Sequence, residues 1–151
     1  MIRDLSKKYK APSFIPHLTI YGGGLTLDLD KAKKIISESI KDMQPFQVEV
    51  DKLNYSDNFW KTIFTEIKMN SQLQKIYINL RKELLNYHDY ILKPHMSLIY
   101  KKLSNRQKEE IVNNIIIKNQ FTLDKIAICS FEDHDKVDRW KLVFKLYLDK
   151  P

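Results

Sequence analysis

Apolar residues recur along this chain in two rhythms. Over residues 28–43 they fall at Leu29, Ala32, Ile35, Ile36 and Ile40. That spacing lines one face of a helix, with Asp28 or Asp30 placed to cap its start and Pro45 to end it. The same rhythm predicts a helix over 71–87, with Leu73, Ile76, Tyr77, Leu80, Leu84 and Tyr87 on one face. A third helix runs from Ser104 to about Ile117 through Ile111, Ile115 and Ile116. Elsewhere the period is two. Phe46, Val48 and Val50 alternate with Gln47, Glu49 and Asp51, the pattern of a half-buried strand. A second strand is expected over 59–69, after the turn Ser56-Asp57-Asn58. Further strands are expected over 16–21, 93–100, 121–131 and 137–148, the last two joined by the acidic hairpin 132–135. Residues 1–13 are basic and weakly helical.

After that N-terminal piece the order is β-α-β-β-α-β-α-β-β. Mixed order of this kind predicts an α+β fold with largely antiparallel sheets. At 151 residues the chain fits one domain spanning 1–151. It also contains an echo of itself. Pro16-His17-Leu18-Thr19-Ile20 recurs as Pro94-His95-Met96-Ser97-Leu98, about half a chain later, and each copy is followed by a helix. Two related lobes facing each other are the expected result.

The echo carries the chemistry. On a strand, residues two apart share a face. His17 therefore projects with Thr19, and His95 with Ser97, while Leu18, Ile20, Met96 and Leu98 turn toward the core. Two imidazoles and two hydroxyls in one cleft suit hydrolysis of a phosphodiester without a metal. One imidazole takes a proton from the attacking water and the other protonates the leaving alkoxide, tasks that a pKa near neutrality serves. The hydroxyls donate hydrogen bonds to the non-bridging phosphate oxygens. A cyclic phosphate suits so small a site, because ring strain reduces what the protein must supply. Which histidine is base and which acid stays open at this level.

Composition adds limits. The hydrophobic fraction of 43% and charged fraction of 30% are those of a soluble globular chain. The lone Cys129 permits no intramolecular disulfide, and its apolar neighbours suggest a small core side chain. With no secretory signal and no run of about 20 apolar residues, a cytoplasmic location off the membrane is expected. The net charge of +7 fits an anionic partner, though lysines spread over helix faces also describe a solvated basic surface.

The two motifs and their surroundings, PHLTIYGG and KPHMSLIY, resemble the signature strands of the two-histidine phosphoesterase superfamily, and most closely its cyclic phosphodiesterase-like branch. The resemblance extends from about Phe14 to Leu148 and takes in the helix before the second motif and a late tryptophan, Trp140. It implies a bilobal fold with a pseudo-twofold axis, a central cleft and outer helices. It implies hydrolysis of 2′,3′-cyclic nucleotides, ADP-ribose 1″,2″-cyclic phosphate or RNA cyclic-phosphate ends, with no cofactor. His17, Thr19, His95 and Ser97 match the four motif positions. Tyr100 matches a substrate-contacting aromatic; strand alternation points it away from Ser97, so a bend is required there. The family's usual first strand often carries an aromatic that packs on the base; with Met1-Ile2-Arg3 expected to lie near the end of the helix that follows it, that strand is expected to be missing from this sequence.

Other residues are weighed singly. Tyr21 shares the face of His17 and Thr19 and is a candidate cleft wall. Trp60 and Phe64, four apart, could stack on a base, although core packing is the commoner role. Gly22-Gly23-Gly24 lacks the pattern of a phosphate loop and reads as a loop near the cleft. His88 fits a helix C-terminus, and His134 a solvated turn with no zinc-site spacing. The leading expectation is a monomeric cyclic phosphodiesterase acting on a cyclic-phosphate nucleotide or RNA end. The alternatives are action on 2′-5′ linkages or cyclic dinucleotide signals, and a non-catalytic nucleic-acid binding module of the same fold.

Overall fold

The computed structural model describes residues 1–23, 26–131 and 136–149. The helices are α1 (Ile2–Tyr9), α2 (Leu29–Ser39), α3 (Ser71–Leu84) and α4 (Asn105–Asn114). The strands are β1 (Phe46–Tyr55), β2 (Ile63–Ile67), β3 (His95–Ile99), β4 (Gln120–Leu123), β5 (Lys125–Ser130) and β6 (Lys141–Tyr147). Short polar side chains start α2, α3 and α4. The Asp28 carboxylate accepts from the N–H groups of Asp30 and Lys31, Asn70 accepts from Leu73, and Ser104 forms a reciprocal box with Gln107. No helix among the described residues is long and apolar enough to cross a membrane.

Among the described residues every strand pairing is antiparallel, in a four-stranded sheet of order β3-β2-β1-β4 and a two-stranded sheet β5-β6. The single strand expected over 121–131 is broken at Asp124. Its first part pairs with β1, its second with β6, and the Asp124 carbonyl accepts from Leu148. The expected strand 59–69 begins late, because Asn58 caps a 3₁₀ turn over Phe59–Lys61. The segment 16–21, expected as a strand, makes no ladder pairing among the described residues. Pro16 has no N–H to offer, and the Ile15 carbonyl is taken by the His17 ring. The hairpin 132–135, with His134, lies outside the described residues.

Two cores meet along β1. One gathers Ile35, Ile36, Phe46, Val48, Ile67, Leu73, Ile76 and Leu80, with Leu18, Ile20, Phe144 and Leu146 against it. The other gathers Ile2, Leu5, Ile63, Leu98, Ile99 and Ile111, with Phe14, Leu53, Tyr55 and Met96 against it. Each core is served by one motif copy. A bulge at Asp51 keeps the apolar side chains of β1 on one face: Val50 pairs with Ile67, but Lys52 pairs with Glu66. The opposite face of the same sheet carries Lys52, Asn54, Phe64, Glu66, His95 and Ser97. Cys129 is not a core residue. It is exposed, since β5 turns Ile126 and Ile128 to the core and its odd-numbered positions away.

Candidate active site

Strand β3 delivers the second motif to the polar face of the large sheet, with His95 opposite Glu66 and Ser97 opposite Phe64. The ladder then shifts: Ile99, not Leu98, meets Ile63. Leu98 is the extra residue of a bulge, and Leu98 and Ile99 are both fully buried. The bulge reverses the alternation, so Tyr100 returns to the side of Ser97. This is the bend that the sequence required. Tyr100 is buried, and its hydroxyl points at His17 Nε2 across 3.5 Å, a long contact joining the two motif copies.

The two histidines are held alike. His17 Nδ1 lies 2.7 Å from the carbonyl of Ile15, and His95 Nδ1 lies 2.8 Å from the carbonyl of Lys93. In each copy the partner is the backbone two residues earlier. A carbonyl only accepts, so Nδ1 carries the hydrogen in both rings. Each Nε2 is then an acceptor when the ring is neutral and a donor when it is protonated, with the Tyr100 hydroxyl as the distant neighbour of the one on His17. Burial holds the His95 pKa below the ordinary histidine range, against the opposing hydrogen bond to the Lys93 carbonyl, and the charges of Lys61 and His17 add smaller lowering effects. The Tyr100 phenol is pushed up, chiefly by burial, and keeps its proton.

The two hydroxyls differ. Ser97 is buried and donates to the carbonyl of Trp60 at 2.7 Å. The Thr19 hydroxyl is half-buried and has no acceptor among the described residues. Trp60 does not lie on a strand; its 3₁₀ turn brings the indole to the site. The rings of Trp60 and Trp140 stack at 5.8 Å and 21°, and Tyr100 touches both at 5.5 and 5.8 Å. Trp140 also sits 6.0 Å from His17. Phe14 adds a ring 4.3 Å from Tyr100. Reading the sequence alone passed over Phe14, whose signal, an aromatic three residues before a motif histidine, has no local periodicity to mark it. Phe64 joins neither core and meets His95 edge-on at 5.9 Å.

Tyr21 acts as a clasp. Its hydroxyl donates to the carbonyl of His88, and its ring leans on Tyr77 and Tyr90. It thereby ties the first motif to the segment that leads into the second. Helix α3 ends four residues before His88, whose imidazole instead lies against Gly23. A Cβ on Gly23 would lie 2.4 Å from that ring, and Gly23 has φ +125°, a region closed to other residues. Gly23→Ala is expected to lower stability by about 1–3 kcal/mol. Chemical denaturation checks this, and an unchanged midpoint would show that the loop does not rest on His88.

Comparison with known proteins agrees with this architecture. The family model described as the 2′-5′ RNA ligase superfamily matches residues 2–135. A search of curated proteins finds no match. Among solved structures, E. coli LigT in apo form superposes with a TM-score of 0.58 at 13% identity, covering 99% of this chain and 91% of that one. A crystal structure titled as a phosphoesterase superposes at 0.54 and 14% identity, covering 99% and 92%. At such identities these likenesses speak for the fold, while the family model spans both motif copies. The chain belongs to the 2′-5′ RNA ligase superfamily, the two-histidine phosphoesterases.

Proposed function

We propose that the protein hydrolyses a cyclic phosphodiester of the 2′,3′-cyclic nucleotide or ADP-ribose 1″,2″-cyclic phosphate type, without a metal. The matched anchoring of two imidazoles, each with Nδ1 held by its own backbone so that Nε2 is the atom left for proton transfer, carries the reading. His95, held neutral by its surroundings, is the base that takes a proton from the attacking water. His17, once protonated, gives its Nε2 proton to the departing ribose oxygen. Thr19 donates to a non-bridging oxygen, and Ser97 does so after turning from the Trp60 carbonyl. Trp60, Trp140 and Tyr100 offer a wall on which a base can stack.

Turnover of 2′,3′-cyclic mononucleotides in EDTA, with the product isomer identified by NMR, is the direct test. No turnover of these or of ADP-ribose cyclic phosphate counts against the reading. A base must be neutral to work, and the pKa of His95 is lowered, so its neutral form persists to lower pH. The acid limb of kcat/KM is therefore expected to fall at a pH below the ordinary histidine value of about 6.5. A midpoint above that value would move the base role away from His95.

The family description favours a second reading, hydrolysis at a 2′-5′ linkage or at an RNA cyclic-phosphate end. Salt separates the two. A mononucleotide enzyme keeps its KM as salt rises, whereas an RNA-processing one weakens steeply through counterion release.

A further inference from the structure

We infer that Lys61 is a phosphate-binding residue of this site, its ammonium meeting a non-bridging oxygen of the bound phosphodiester. The inference rests on the phosphodiesterase reading and adds the charge that the reading lacks. Proton transfer between water, His95, His17 and the leaving oxygen returns as many protons as it removes. The summed charge of the two imidazoles is unchanged across the step, while negative charge grows on the non-bridging oxygens. Thr19 and Ser97 are neutral hydroxyls, so neither brings charge, even when Ser97 turns from the Trp60 carbonyl to the phosphate. A fixed cation is the missing part.

Lys61 is placed to be that cation. It closes the 3₁₀ turn Phe59–Lys61, next to the residue whose carbonyl holds Ser97. Its ammonium lies over the Phe64 ring, 5.7 Å from the centroid, and that ring meets His95 edge-on at 5.9 Å. Phe64 faces Ser97 across the ladder, so the cation hovers over the polar face one ring from the base. Lys61 is half-buried, yet no carboxylate among the described residues pairs with it. Glu66, on the same face, is occupied by Asn54 and Lys52. An ammonium that has lost part of its water and faces only an aromatic ring gains most from an incoming anion. Its flexible stem lets it leave Phe64 for the phosphate.

The test compares wild type with Lys61→Gln and Lys61→Arg, using thermal melts to confirm folding. Inorganic phosphate at low salt is titrated by calorimetry, and turnover of a 2′,3′-cyclic mononucleotide is measured alongside. Lys61→Gln is expected to weaken phosphate binding about 10-fold or more, with kcat falling further than KM rises, and Lys61→Arg is expected to restore most of both. Lys61→Gln behaving as wild type overturns the inference. So does an equal loss in both variants, because charge would then not be the property that matters, and so does a wild-type protein with no affinity for phosphate. A wild type that binds phosphate but turns over no cyclic substrate refutes the functional reading alone, and the phosphate titration still decides Lys61.

Discussion

Replacing His17 or His95 with alanine is expected to lower kcat/KM on the proposed cyclic substrate by roughly 10²–10⁴-fold and to leave the fold intact. Both rings are half-buried and belong to neither core, so neither substitution opens a cavity in them. On the proposed mechanism the loss comes from the proton transfers. Without His95 the water attacks without a base, and without His17 the ribose oxygen leaves as an alkoxide. The double variant is expected to lose little more than the worse single one, because the two transfers serve one event and a broken relay cannot be broken twice. Multiplying losses in the double variant would mean that the rings act in separate steps. Full activity in either single variant would remove that residue from the chemistry. Asparagine at either position separates shape from protonation, since it keeps a polar group but cannot cycle a proton.

Leu98→Ala removes no reacting group, yet it is expected to destabilise the fold far more than either histidine substitution. Leu98 is fully buried, packs with Ile63, Ile99 and Ile111, and is the extra residue of the β3 bulge. Truncating a buried leucine costs about 2–5 kcal/mol, the loss of transfer energy plus the cavity left behind. In a chain of this size each kcal/mol moves the midpoint by about 2–4 °C, so a fall on the order of 10 °C is expected. The comparison is Leu142→Ala, at a position 52% exposed, where a change within about 0.5 kcal/mol is expected. Equal midpoints for the two variants would mean that the bulge is not held from the core side. Because Tyr100 follows the bulge, activity of the Leu98 variant per folded molecule also reports whether the phenol reaches His17.

Much of this arrangement is legible in the sequence. Helical spacing finds α2, α3 and α4 with ends within a few residues, since their apolar faces and capping side chains are local features. The motif pair locates the site because two-residue alternation fixes which side chains share a face. What the sequence hides depends on pairing. Both bulges are relations between strands, visible only when Val50 and Lys52, or Ser97 and Ile99, are set against consecutive partners. The break at Asp124 likewise follows from two sheets competing for one apolar run. Trp60 reaches the site through a 3₁₀ turn that a β-rich run of residues masks. Cys129 looks like core because its neighbours are apolar, but β5 buries only its even positions. Tyr21 is placed by face alone, and the hydroxyl's bond to His88, 67 residues away, could not be inferred from spacing.

Each histidine takes its orientation from a peptide carbonyl of its own segment, where many enzymes use a carboxylate side chain. No codon change removes a peptide oxygen. The orienting half of each histidine unit is therefore invisible to point mutation, and the number of positions at which drift can turn either ring away is correspondingly small. The unit is also only three residues long, so copying a short segment copies a ring together with its tautomer control. A gene that duplicates such a segment acquires both halves of an acid–base pair in one event, with no third residue left to evolve.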